Sequence, residues 1–157
     1  MIPTPLEVKL HAAILASTVV KDITSGYSGQ KQLSLLTLLR KLCNTPGLIY
    51  KAHKEGKQAE ILTNEVMRLF PAGRDPNDFE LSGKMMVVGA LLMRLYNGER
   101  RAGRKRVRGK VDDEEEEDDG VPKGREKIVV VSNFTSTLDV IEVHCIKKGY
   151  TYCRLDG

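Results

Sequence analysis

Over the first hundred residues, apolar positions recur at three- and four-residue steps, the period of a helix with one buried face. Leu6, Leu10, Ala13 and Ile14 form the first stripe. Thr4, Pro5 and Glu7 precede or open it with the spacing of a capping box and a proline at the first helical position. This predicts a helix from Thr4 to about Asp22, ended by the loop Ser25-Gly26-Tyr27-Ser28-Gly29. A second predicted helix carries Leu35, Leu38, Leu39 and Leu42. It ends at Asn44-Thr45-Pro46-Gly47, because proline biases the preceding residue away from helical geometry. A third, more polar helix is predicted over 53–70 and a loop over 71–78. Ser82 then caps a fourth helix bearing Met85, Val88, Leu91, Leu92 and Leu95.

The pattern changes late in the chain. Ile128-Val129-Val130-Val131 is a continuous β-branched run, suited to a strand buried on both faces. A helix from Thr135 to Lys148 follows, with Leu138, Ile141 and Cys145 at helical spacing and Gly149 at its end. Tyr150 to Leu155 reads as a second strand and Asp156-Gly157 as the start of a turn. Strand, helix, strand predicts a right-handed βαβ unit. Two strands alone do not make a stable parallel sheet, so the expectation is a fragment or a chain that pairs with something else.

Charge separates the two patterns. Arg100 to Lys110 carries seven basic residues, and Asp112 to Asp119 is eight consecutive carboxylates. The window 98–125 holds nine basic and nine acidic residues and is neutral as a whole, so the rest of the 157-residue chain keeps the entire net charge of +4. Such a window buries too little to offset its ordering entropy and is expected to be a disordered insertion. The expected organisation is a helical protrusion or linker over 1–96, the insertion over 97–126, and a first βαβ over 127–157.

With 41% hydrophobic residues the chain is not wholly disordered, yet no run reaches the roughly 18 apolar residues of a membrane span. The start, MIPTPLEVKL, shows no basic and apolar leader pattern, so no signal peptide is expected. Cys43, Cys145 and Cys153 contain no CxxC pair, which argues against a disulfide framework or structural zinc and suits a reducing compartment. Cys145 and Cys153 are expected in the core. His11, His53 and His144 lack metal-ligand spacing, so no metal site is expected. No catalytic nucleophile with an oriented base can be argued.

Three places carry candidate chemistry. Ser132-Asn133-Phe134-Thr135 falls at the carboxyl end of the first predicted strand, where open α/β sheets bind ligands and helix N–H groups suit a phosphate. Alternatively, Ser132 and Thr135 only cap the helix. Arg154 is either a bidentate phosphate donor or one half of a salt bridge to a neighbouring carboxylate. Arg104, Lys105, Arg106 and Arg108 suit nuclear import or a non-specific DNA contact, or simply a solvated loop beside the acidic tract. Ser82-Gly83-Lys84 reads as a helix cap, not as a phosphate loop.

Taken in order, LLTLLRKLCNTPGLIY (35–50), SGKMMVVGALL (82–92) and KIVVVSNFTSTLDVIEVHCIKKGYTYCRLDG (127–157) resemble the second RecA-like lobe of the Swi/Snf-type helicase-like ATPases. The likeness is greatest to their recombination-repair, Rad-type DNA translocase branch. It rests on Leu42-Cys43-Asn44-Thr45-Pro46, Ser82-Gly83-Lys84, Ser132-Asn133, Leu138-Asp139 and Arg154-Leu155-Asp156-Gly157. Thr45 stands where that family usually has histidine. No GxxxxGK[ST] loop is present, and Asp113-Glu114 lacks the preceding apolar strand of a magnesium-positioning box.

The resemblance implies an α/β fold: a helical N-terminal segment followed by an incomplete RecA-like parallel βαβ unit, a truncated P-loop NTPase second lobe. It implies part of an ATP-dependent double-stranded DNA translocase of homologous-recombination repair and chromatin remodelling. The intact motor would use ATP and Mg²⁺, and this chain would hold no cofactor itself. Implied partners are double-stranded DNA, a RecA-type recombinase and the first RecA-like lobe, in the nucleus and away from any membrane. Ser132, Asn133, Thr135 and Arg154 would face nucleic acid. The chain alone is not expected to hydrolyse ATP. The rival expectation is a non-catalytic nuclear module that binds DNA and protein through the basic and acidic runs.

Overall fold

A computed structural model describes residues 2–26, 29–96 and 127–156. The expected insertion over 97–126, with Arg104, Lys105, Arg106 and Arg108, lies outside them. Seven α-helices occur among the described residues: α1 (Pro5–Ala16), α2 (Thr18–Ser25), α3 (Gly29–Asn44), α4 (Pro46–Lys54), α5 (Asn64–Met67), α6 (Gly83–Tyr96) and α7 (Thr135–Lys148). A single 3-10 turn, Phe79–Leu81, precedes α6.

The capping box forms as its spacing requires. Thr4 Oγ1 accepts from the Glu7 amide at 3.2 Å, and Glu7 Oε2 accepts from the Thr4 amide at 2.7 Å. Both side chains also reach across the fold. Thr4 donates to the Leu81 carbonyl at 3.0 Å, and Glu7 accepts from the Gly83 amide at 3.2 Å. One cap therefore ties the start of α1 to the start of α6.

The single helix expected to Asp22 is two. Ser17, with φ −59° and ψ 136°, leaves helical geometry. Six residues separate Ile14 from Val20, which is off the helical period. The break resets the register and turns Val20 and Ile23 into the core of Leu10, Ile14, Leu38, Leu42 and Ile49. Asn44 to Gly47 ends α3 as expected, but Pro46 at once opens α4 from its first turn. Gly47 is required there: a Cβ would stand 1.7 Å from the Pro76 carbonyl oxygen.

The helix expected over 53–70 shrinks to Asn64–Met67. The stretch 54–60 is polar and presents no apolar face to bury, and Gly56 and Gln58 adopt φ of 71° and 52°. On α6 the buried positions are Met85 and Leu92, while Leu91 of the expected stripe faces outward. On α7 the buried face is Thr137, Val140 and Cys145, and Cys153 is exposed rather than in the core.

The α/β expectation is overturned. Among the described residues there is no strand, so neither the incomplete RecA-like βαβ unit nor a parallel sheet is present. Val129 and Val131 are each 85% exposed. A continuous apolar run becomes a strand only where neighbours accept its ladder hydrogen bonds, and the described residues offer none to 128–131 or 150–155. Instead α7 packs on the helical body. Val140 and Ile141 join a second core cluster with Leu48, Phe79, Met85 and Val88. The expected α7 helix and its glycine end are correct: Gly149 takes φ 68° and the Tyr150 amide bonds the Cys145 carbonyl at 2.9 Å.

A cleft between α3, α6 and α7

Ser82 is fully buried and is the pivot of the site. Its Oγ donates to the Asn44 carbonyl at 2.8 Å and accepts from the Lys84 and Met85 amides at 3.2 and 3.4 Å. Lys84 Nζ donates to Asn44 Oδ1 at 2.7 Å, and Asn44 Nδ2 donates to Thr137 Oγ1 at 3.2 Å. The end of α3, the start of α6 and the first turn of α7 are thereby held in one network. Gly83 allows the approach, since a Cβ there would lie 2.2 Å from the Ile2 carbonyl oxygen.

Above this network lies a cleft of about 670 Å³. Its lining includes Arg40, Asn44, Lys84, Ser132 and Asn133 together with apolar residues such as Met85. Arg40 is exposed and forms no ion pair with any described residue. Ser132 Oγ accepts from the Phe134 amide at 3.2 Å and donates to its carbonyl at 3.1 Å, which fixes the turn into α7. No side chain caps α7 at Phe134.

The structure thus brings two of the four expected site residues, Ser132 and Asn133, into one cleft. Thr135 is exposed beside them and does not line it. Arg154 is elsewhere: it pairs with Asp139 at 2.8 Å, Glu142 at 2.6 Å and Asp156 at 2.6 Å. The hydrogen bonds it donates to Asp156, then to Asp139 and Glu142, push its guanidinium pKa up. Glu142 also accepts from the Tyr152 hydroxyl at 2.7 Å, and that bond and Arg154 hold its carboxyl below the usual range. Sequence reasoning missed Arg40. The signal was available: Leu36, Arg40, Cys43 and Asn44 share a helical face beside the buried leucines.

His11 is exposed on α1. His144 stacks on Phe79 with ring centroids 3.8 Å apart, and burial, with help from Lys148 and Lys147, lowers its pKa. No group of three metal-ligating side chains occurs among the described residues. Ser82 and Lys84 direct their polar atoms to Asn44, so Ser-Gly-Lys here does not fit a nucleotide phosphate cradle.

The most similar curated proteins share a single character. The DNA repair and recombination protein RAD54-like of Gallus gallus is 33% identical over 159 residues, covering 98% of this chain and 18% of that protein. The DNA repair and recombination protein RAD54 of Oryza sativa subsp. japonica is 34% identical over 166 residues, covering 98% of this chain and 14% of its own length. The homologues of this chain, matched over nearly its whole length, are RAD54-type recombination-repair proteins. Protein CHROMATIN REMODELING 25 of Arabidopsis thaliana is 32% identical over 166 residues, covering 98% of the chain and 16% of that protein. The chain spans less than a fifth of the length of these RAD54-type relatives. No protein-family profile and no solved structure matches it.

Proposed function

We propose that this chain is a segment of a RAD54-type double-stranded DNA translocase, from its second motor lobe, and that the α3–α6–α7 cleft forms part of its grip on DNA. The observation that carries the reading is that Arg40, which pairs with no carboxylate among the described residues, lines the same cleft as Ser132 and Asn133, in a chain whose relatives are DNA repair and recombination proteins. Arg40 supplies a phosphate-directed charge, and the Ser132-Asn133 turn supplies short polar groups in the same cleft. Such contacts hold a duplex without reading its sequence, as a translocase requires. In this reading the chain's residues bind and orient DNA, while ATP and Mg²⁺ belong to other parts of the motor. The setting would be nuclear, with a RecA-type recombinase as partner and the first motor lobe closing on this one.

The test is duplex binding by the full chain, followed by fluorescence anisotropy across a salt series. Arg40→Gln is expected to weaken binding several-fold and to reduce the log–log salt slope by about one. A chain lacking 98–125 is expected to keep a weaker affinity that remains sensitive to Arg40→Gln. Complete loss on that deletion, together with no effect of Arg40→Gln in the intact chain, would instead support a module that binds through its charged runs.

A further inference from the structure

A second hollow lies on the opposite end of α4. It has a volume of about 470 Å³ and is lined by Tyr50, His53, Lys54, Asn64, Arg68 and Phe70 among others. Three features distinguish it from an ordinary surface dent.

The first is charge. Lys54 and Arg68 are both exposed and neither pairs with a carboxylate among the described residues. Four other cations among the described residues are paired with carboxylates. Lys57 pairs with Glu55, Arg74 with Asp78 and Glu80, Lys147 with Asp75, and Arg154 with three acids. No carboxylate lines the hollow. The second is an orphaned polar atom. His53 Nδ1 is buried and has no hydrogen-bond partner, which is costly for a ring nitrogen. The third is rigidity. Tyr50 and Phe70 stack with centroids 4.3 Å apart, and Lys54 Nζ lies 5.6 Å from the Tyr50 centroid. That contact holds the ammonium at the rim instead of leaving it to wander.

An open, carboxylate-free hollow lined by an ammonium, a guanidinium, an amide and an imidazole ring suits a tetrahedral oxyanion. We propose that it is a binding site for a phosphate group, separate from the α3–α6–α7 cleft. The donors suit the group: guanidinium offers a fork, ammonium a point charge, and the Asn64 amide further N–H groups. The stacked rings serve as the wall, since Phe70 is buried and one face of Tyr50 is taken by Lys54. A phosphate on a DNA backbone and a free phosphate share this chemistry, and the experiment separates them.

The full chain, isotopically labelled, is titrated with inorganic phosphate and, separately, with a short duplex while the His53 ring-nitrogen resonances are followed. Shifts with both probes support the site and assign its ligand to DNA. A shift with inorganic phosphate alone supports the site and assigns it to a free phosphate. No shift with either probe overturns the proposal. The double variant Lys54→Gln/Arg68→Gln changes two exposed side chains and is expected to fold normally. It should abolish the phosphate-induced shift, and if DNA is the ligand it should reduce the salt slope of duplex binding by about two. A shift that persists in the double variant also overturns the proposal. Arg40→Gln keeps the phosphate response at His53, so failure of this site and failure of the cleft are read independently.

Discussion

Gly83 shows how one residue can be decided by backbone proximity. Its missing side chain leaves room for the Ile2 carbonyl, 2.2 Å from where a Cβ would be, and the adjoining Glu7 carboxylate takes its amide. Gly83→Ala has to part the N-terminal segment from the start of α6. It is expected to cost about 1–3 kcal/mol, in the range of overpacked sites, read as a lower urea midpoint at unchanged slope. An unchanged midpoint would mean the two segments are not held together in solution. The lysine beside it illustrates what could be read in advance. Ser82 was legible as a cap, because serine before an apolar helix has that role locally. That Ser82 and Lys84 also grip Asn44, 38 and 40 positions earlier, was not legible, because that contact is made only by tertiary packing. The same limit hid His144, an ordinary helix residue by sequence that stacks on Phe79. Its pKa is lowered, chiefly by burial, so the folded state favours the neutral ring. The charges nearest it, Lys147 and Lys148, act in the same direction. Stability should therefore be full above the ordinary histidine value of 6.5 and fall as pH drops through it toward the lower folded value. Thermal melts between neutral and mildly acid pH test this. His144→Phe keeps a flat ring against Phe79 and should flatten that part of the profile; a variant with the parent's pH dependence would remove His144 as its source.

Helices were read correctly where local chemistry and burial agree, and incorrectly where only one was present. α1, α3, α6 and α7 each combine an apolar face with a local start or stop signal: Thr4 and Glu7 for α1, Ser82 for α6, Gly149 for α7. The stretch 53–70 had helical propensity but nothing to bury over its first half, and it collapsed into turns. Ile128–Val131 had strand propensity and no strand partner among the described residues, and Val129 and Val131 remain exposed there. This gives a sharp contrast in cost. Val129→Lys with Val131→Lys should change stability by no more than about 0.5 kcal/mol per site, as at other exposed positions. Leu38→Ala, at a fully buried position of α3, should cost about 2–5 kcal/mol. Denaturant titrations of both variants decide the matter. A large loss from the valine pair would reveal a partner for that segment that the helical description lacks. The cap of α1 belongs to the same scale. Thr4→Ala removes the bond from the Glu7 amide and the one to the Leu81 carbonyl together, so about 1–2 kcal/mol is expected, toward the upper part of the range for helix caps.

The molecule as a whole is built on two cores of unequal size. The larger joins α1 to α5 through residues such as Leu10, Ile14, Leu38, Ile49 and Leu62, all fully buried. The smaller, with Leu48, Phe79, Met85 and Val140 at its centre, is what fastens α7 to the rest. The bonds that reinforce it include Asn44 to Thr137 at 3.2 Å, the Phe79–His144 stack, the Tyr96–Tyr150 ring contact with centroids 4.5 Å apart, and Lys147 to Asp75 at 2.5 Å, the last exposed and worth little alone. The cleft depends on this weaker attachment, because Ser132 and Asn133 reach it only while α7 is docked. Opening free energy follows buried apolar contact, so amide exchange should show two levels of protection. The amides of α3 and α4 should exchange at or near the global unfolding free energy, and those of α7 at a distinctly lower one. Val140→Ala, which trims a fully buried side chain at the joint, should lower the α7 level further while leaving α3 and α4 nearly unchanged. It should also weaken duplex binding if the cleft grips DNA, because a smaller fraction of the population then has Asn133 and Arg40 in one cleft. Equal protection of α7 and α3, or a uniform drop across all helices in Val140→Ala, would mean that the two cores unfold as one and that the cleft is no weaker than the body carrying it.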